Sequence, residues 1–201
     1  MTTMADVLVS RTWRQGFATT TLVDAALVLA GSLAVAVSAQ LQYVLPFTPV
    51  PITGQTLAVL LVGATLGSRR GALAMAAYLA EGAAGLPVFA GGGMGLPWLL
   101  GPTAGYLWSL PVAAWLVGWL AERGWDRSFL GATAAMLIGN GVIYFLALPW
   151  LAAFVGPDRV AATGLFPFVL GDLIKIGVAA TVLPAAWSVI GRARRWAGPE
   201  A

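Results

Sequence analysis

Between Asp24 and Arg69 the chain reads AALVLAGSLAVAVSAQLQYVLPFTPVPITGQTLAVLLVGATLGS, residues 25–68, without one charged side chain. Two further charge-free stretches follow, residues 82–121 and 128–157. Of the 201 residues, 59% are hydrophobic and 9% charged, whereas a soluble domain carries about 25% charged residues. No water-soluble domain of this size can cover so much apolar surface. That excludes a soluble enzyme, a disordered chain and a nucleic-acid-binding module, and places the chain in a membrane. Cysteine and histidine are both absent. There is accordingly no disulfide framework, thiolate nucleophile, Ser-His-Asp triad, HExxH metal site or histidine haem ligand. No metal or cofactor is expected.

A membrane helix needs about 20 mostly apolar residues. Six segments qualify: 22–40, 53–68, 71–88, 103–121, 129–151 and 168–190. Their apolar runs are continuous rather than alternating, which disfavours a barrel, and residues 1–21 lack the apolar core of a signal peptide. The expected fold is an all-α bundle over 22–190, with a cytoplasmic segment at 1–21 and a basic cytoplasmic tail at 191–201. Orientation follows from arginine. Arg11, Arg14, Arg69, Arg70, Arg123, Arg127, Arg192, Arg194 and Arg195 fall on one side and only Arg159 on the other. Basic loops stay cytoplasmic, so both termini are expected inside, and the net charge of +3 reflects this bias rather than an anionic partner. Trp13, Trp125 and Trp196 at the inner ends, and Trp98 and Trp150 at the outer ones, read as interfacial anchors.

This topology makes the inner connection Gly67-Ser68-Arg69-Arg70 short and basic. The outer connections, residues 44–53 (VLPFTPVPIT) and 89–98 (FAGGGMGLPW), are uncharged and rich in Pro and Gly. Irregular backbone at membrane depth is tolerated only where protein buries it or a cavity underlies it, so the outer face is expected to cap a pocket.

The last span holds Asp172 and Lys175, the latter the only lysine. An intramembrane charge costs about 2.5–3.5 kcal/mol on insertion scales, and i, i+3 spacing puts both on one face. A binding site at the floor of an outward pocket is the favoured reading; an ion pair that holds helices together is the other. Glu81 could bond a ligand or a neighbouring helix. Gln55, Tyr106 and Asn140 are polar groups in apolar settings, candidates because they gather toward the outer half. Ala26, Ala30 and Ala34 give the first span a smooth face that either packs in the bundle or docks another membrane protein. Gly91-Gly92-Gly93 is no phosphate loop, because no Lys and Ser/Thr follow it.

Several motifs in order resemble the BioY family, biotin-specific substrate-binding (S) components of energy-coupling-factor (ECF) transporters. They are residues 46–57 (PFTPVPITGQTL), 67–72 (GSRRGA), 78–92 (YLAEGAAGLPVFAGG), 100–107 (LGPTAGYL), Gly139-Asn140 and 171–175 (GDLIK). The resemblance spans roughly residues 22–190. It implies a six-helix S component in a bacterial cytoplasmic membrane, with no ATPase site of its own and a vitamin pocket under the first, third and fifth loops. Biotin's ureido ring, with two N–H donors and a carbonyl, suits Asp172 beside Gln55 or Asn140, and its carboxylate suits Lys175 or loop N–H groups; which end meets the pair is left open. Phe47, Phe89 and the Gly91–Gly95 lid are expected to cover ring and chain. The alanine face would dock on the transmembrane (T) component, which works with two ATPase subunits. Pro97-Trp98 and Ala104 depart from the expected smaller residues and imply a stiffer lid. An S component for another vitamin, or a channel or scaffold, are the alternatives.

Overall fold

A computed structural model describes residues 3–9 and 17–196. Arg11, Arg14 and Trp13, the side chains of Arg194, Arg195 and Trp196, and the end of the basic tail lie outside the described residues. In chain order the helices are α1 (Met4–Val9), α2 (Phe17–Gln40), α3 (Gln55–Leu66), α4 (Ser68–Ala83), α5 (Leu96–Leu100), α6 (Ala104–Glu122), α7 (Phe129–Val155), α8 (Pro157–Gly164) and α9 (Phe166–Trp196). Strands β1 (Gln42–Tyr43) and β2 (Ile52–Thr53) pair antiparallel, Gln42 opposite Thr53. The segments carrying α2, α6, α7 and α8–α9 are long and apolar enough to cross a membrane, and α3 is a shorter apolar helix. Large apolar side chains such as Leu29, Phe145, Leu170 and Ile174 face outward, the arrangement that a hydrocarbon solvent favours. This is a multi-pass membrane protein.

The long spans fall where the apolar runs place them, but the middle of the map shifts. Gly67 takes φ +89°, a left-handed conformation that side-chain-bearing residues avoid, so α3 turns into α4 within one residue. The fourth helix therefore covers 68–83 instead of 71–88, and its outer connection begins at Ala84, followed by Gly85 at φ +94°. The junction is fixed from α6: Glu122 Oε1 accepts from the Ser68 N–H at 2.7 Å and from Ser68 Oγ at 2.8 Å. The last helix starts two residues earlier than expected. Residues 157–164, between the fifth and sixth expected spans, form the separate helix α8.

At the other end of the chain, Met4 and Ala5 are buried, and Asp6 bonds Arg70 at 2.9 Å while Arg70 also reaches Asp24 at 2.8 Å. This fastens α1 and α2 to the start of α4. Residues 3–9 thus dock on the bundle.

Helix α6 is the hub, packed on α3, α4 and α7. Lipid tails provide no hydrophobic force between helices, so close backbone approach must do the work. A Cβ added to Gly63 of α3 would stand 2.5 Å from the Ala114 carbonyl oxygen of α6. One on Gly71 would meet Gly63 Cα at 2.9 Å, and one on Gly118 would meet Gly67 and Ser68 backbone at 2.5 Å. These glycines make a backbone-to-backbone seam through α3, α4 and α6 at the end of the bundle that carries Arg69, Arg70, Arg123 and Arg127.

The same end holds Asp126, 2% exposed in the Trp125–Arg127 turn. Its Oδ2 accepts from Trp187 Nε1 of α9 at 2.5 Å, and Oδ1 is buried with no protein partner among the described residues. Burial pushes the carboxyl pKa up, and the Trp187 bond, its own backbone N–H and the Arg127 charge offset this only in part.

Two outcomes are expected. Gly63→Ala forces α3 and α6 apart and should destabilise by about 1–3 kcal/mol, the usual cost of overpacking, visible as a lower melting temperature in detergent. The raised folded pKa of Asp126 gives a stability contribution that is complete below the ordinary carboxyl value of 3.8 and is lost as pH rises through the folded value. Melting temperature should therefore decline with pH across that window in the natural chain, and Asp126→Asn should flatten the slope.

Candidate functional site

The end opposite the seam is built from first turns and irregular backbone. Gln55 and Thr56 open α3, Tyr106 lies in the first turn of α6, Phe168 in that of α9, and Tyr144 projects from the outer part of α7. Asp172 and Lys175 sit about 9 and 13.5 Å along α9 at 1.5 Å per residue. Together with Val50, Pro51, Phe89, Ala90 and Trp98 they line a pocket that opens at this end of the bundle.

One polar cluster lies in this pocket. Asp172 Oδ1 accepts from Lys175 Nζ at 3.1 Å and from Thr56 Oγ1 at 3.3 Å. Its Oδ2 accepts from the Tyr144 hydroxyl in a short bond. Lys175 Nζ also donates to Thr56 Oγ1 at 2.9 Å. Three helices, α3, α7 and α9, thus meet on one carboxylate that is nearly buried, with the ammonium partly so. The pair carries no net charge, and two of the three ammonium N–H donors have protein acceptors among the described residues, leaving one.

The rest of the lining is aliphatic and aromatic, with Gln55, Thr53 and Thr103 the other polar side chains. Phe89 is fully buried, edge-on to Tyr78 with centroids 5.4 Å apart and tilted against Trp98 at 6.3 Å. Gly82 leaves it room, since a Cβ there would strike the Phe89 ring. Tyr106 lies 6.4 Å from both Tyr144 and Phe168, and its hydroxyl donates to the Gly164 carbonyl at 2.5 Å, tying α6 to α8. Gln55 donates from Nε2 to the Tyr78 hydroxyl at 2.7 Å and accepts from Thr53 Oγ1 at 3.1 Å.

Of the residues singled out in the sequence, Asp172, Lys175, Gln55, Tyr106 and Phe89 line the pocket; Asn140, Glu81, Phe47, Gly91, Gly92 and Gly93 do not. Asn140 lies one turn inward of Tyr144, its Nδ2 bonded to Met136 O at 3.1 Å and its buried Oδ1 without a protein partner among the described residues. Glu81 turns to α2 and accepts from Ser32 Oγ at 2.5 Å. Phe47 is 60% exposed. The three glycines shape the turn that presents Phe89 and Ala90 instead of walling the cavity themselves. Trp98 corrects its reading as an interfacial anchor, because it lines the pocket, with Pro97 in the first turn of the short helix α5 beneath it. Ala26, Ala30 and Ala34 are exposed; the inward side of α2 is Gly31, Ser32, Val35 and Ala39, so the alanine face does not pack within the bundle.

Sequence reasoning missed Thr56, Tyr144, Phe168 and Trp98. Phe168, Asp172 and Lys175 follow i, i+4, i+7 spacing, and Tyr144 follows Asn140 by four, so helical periodicity around the polar residues carries the signal for two of them.

Fold and pocket define a membrane protein built to hold a small ligand. Residues 10–192 match the BioY family, and the chain belongs to that family. It is similar to the biotin transporter BioY of Thermotoga maritima, 40% identical over 139 residues, 69% of this chain and 81% of that one. It is also similar to the biotin transporter BioY of Rhizobium etli, 38% identical over 144 residues, 68% of this chain and 77% of the relative. Its fold matches a solved S-component for biotin from an ECF-type ABC transporter with a TM-score of 0.75 at 24% identity, covering 84% of this chain and 93% of that one.

The cluster's interdependence is open to test. Tyr144→Phe strips Asp172 Oδ2 of its donor and Thr56→Val removes the hydroxyl that both charged groups use. Each should cost about 1–3 kcal/mol, the penalty for leaving a buried polar group unpaired, read as a drop in melting temperature of the ligand-free protein.

Proposed function

We propose that this chain is the high-affinity biotin-binding membrane subunit of a biotin importer. The observation that carries the reading is the pocket, in which one acid–base cluster without net charge lies among mainly apolar, partly aromatic side chains. Biotin is likewise divided, with a polar ureido group, an apolar bicycle and chain, and a terminal carboxylate. A ureido group presents donors and an acceptor without charge, and a paired Asp172–Lys175 presents acceptors and a donor without net charge. That match assigns the ureido end to the cluster, the ring to Phe89, Trp98, Tyr106 and Phe168, and the carboxylate to the mouth. An anion that took the one remaining ammonium donor would lie beside the Asp172 carboxylate, and like charges repel. The names of the relatives support the choice of ligand.

Six crossings are assigned to α2, α3, α4, α6, α7 and α9. At about 18 and 24 Å, α3 and α4 are shorter than the roughly 30 Å hydrocarbon core, and the capping segments 44–53 and 84–95 make up the difference. The arginines at the seam end support a cytoplasmic position for that end and for both termini, in a bacterial-type cytoplasmic membrane with the pocket facing out. Residues 1–21 and 191–201 are its cytoplasmic ends. The exposed Ala26–Ala30–Ala34 face is the docking strip for a T component that acts with two ATPase subunits.

Equilibrium binding of labelled biotin to the purified chain should saturate with a sub-micromolar Kd. Asp172→Ala and Lys175→Ala should each weaken it more than tenfold, or about 1.4 kcal/mol. Absence of saturable binding, or displacement by other vitamins as effective as by biotin, would falsify the assignment.

A further inference from the structure

One wall of the pocket does not belong to a helix. Phe89 and Ala90 reach it from the connection between α4 and α5, where Gly85, Gly91, Gly92 and Gly95 all have positive φ. Glycine backbone of this kind has many alternatives open to it, so something must select one.

Gln40, the last residue of α2, makes three contacts with this segment. Its Nε2 donates to Phe89 O at 3.2 Å and to Val88 O at 3.4 Å, and its Oε1 accepts from the Gly92 N–H at 3.0 Å. Phe89 O and Gly92 N are themselves bonded at 3.1 Å. A single carboxamide thus pairs with both ends of one turn, as a neighbouring strand would, using its donor and acceptor together. A further bond from Nε2 to Ala36 O at 3.0 Å anchors the amide on α2 itself.

The bonding continues around the wall. Val88 O also accepts from the Tyr78 hydroxyl at 3.1 Å, Tyr78 accepts from Gln55 Nε2, Gln55 accepts from Thr53 Oγ1, and Thr53 pairs in the β1–β2 ladder with Gln42, two residues beyond Gln40. The circuit begins at the end of α2 and closes on β1, which follows it directly. Gln40 does not line the pocket. It is exposed, and helical spacing sets it at the outer end of the exposed stripe of Ala26, Ala30, Leu33 and Val37.

We propose that Gln40 is a positioning residue for the ligand site: its amide fixes where Phe89 stands, and so makes escape of a bound ligand depend on the outer end of α2. The ligand part of this inference rests on the biotin reading above; the loop-holding part does not.

The test uses the full chain in lipid nanodiscs. Gln40→Leu keeps the bulk and removes the pairing. Biotin should dissociate at least ten times faster from it, with association changed less than twofold and melting temperature nearly unchanged. Gln40→Glu keeps the acceptor for Gly92 but loses the donors, and should fall between; it also replaces the leucine variant if that one fails to fold. Leu33→Ala, on the same stripe without a loop contact, should behave as the natural chain. A spin label on Leu86→Cys, a unique thiol in a cysteine-free chain, reads the segment directly without ligand and should become more mobile in the Gln40 variants. Dissociation within twofold of the natural chain overturns the proposal, as does faster dissociation with an unchanged label spectrum. If the natural chain binds no biotin, the biotin reading falls alone, and the label decides: greater mobility supports the role of Gln40, and an unchanged spectrum removes it.

Discussion

A carboxylate at membrane depth has no water to turn to, and in this protein the arrangement of the outer half follows from how Asp172 is satisfied. Both of its oxygens are used, by Lys175 from the next turn of α9, by Thr56 from the start of α3 and by Tyr144 from α7. Thr56 is at the level of the bond because α3 begins there, whereas Tyr144 and Lys175 are presented by the interiors of α7 and α9. The polar contacts that hold the three helices are therefore the contacts that define the polar end of the pocket. The two readings that the sequence left open for this pair, a binding site or an ion pair between helices, describe one set of atoms. A buried ion pair is by itself weak evidence of stability. Here its placement in the cavity lining gives it a further use.

Legibility from sequence was uneven, for physical reasons. Long apolar runs determine crossings strongly, and α2, α6, α7 and α9 lie where such runs place them. The α3–α4 junction was displaced because a single glycine at positive φ can end one helix and begin the next without any polar interruption. Helix α8 was hidden for a different reason: its eight residues, with Asp158 and Arg159 just after Gly156-Pro157, read as a polar connection between two apolar spans. Within the site, the intramembrane charges were visible because charge at that depth is so unfavourable. Phe168 was implied by the helical period around those charges, and Tyr144 by its four-residue spacing from Asn140. Trp98 was not, because a tryptophan beside a loop is more often an interfacial anchor, and only the fold of residues 84–98 brings it inward.

Contacts distant in sequence were the least readable. Gln40 meets residues 88, 89 and 92, and no local pattern in α2 marks it as different from a polar residue that simply ends a membrane helix. Glu81 shows the converse. Its isolation left a ligand and a neighbouring helix both open, and it bonds Ser32 across to α2. Whether an isolated polar side chain faces a cavity or a neighbour is decided by helix rotation, and a uniformly apolar helix carries little information about its own rotation.

The glycine seam has a directional consequence. Where helices touch backbone to backbone there is no side chain to swing aside, so no rotamer change can open a passage between α3, α4 and α6 at the arginine end. On that side of the bundle a way through exists only if whole helices part company, a change of a different order from the swing of one side chain.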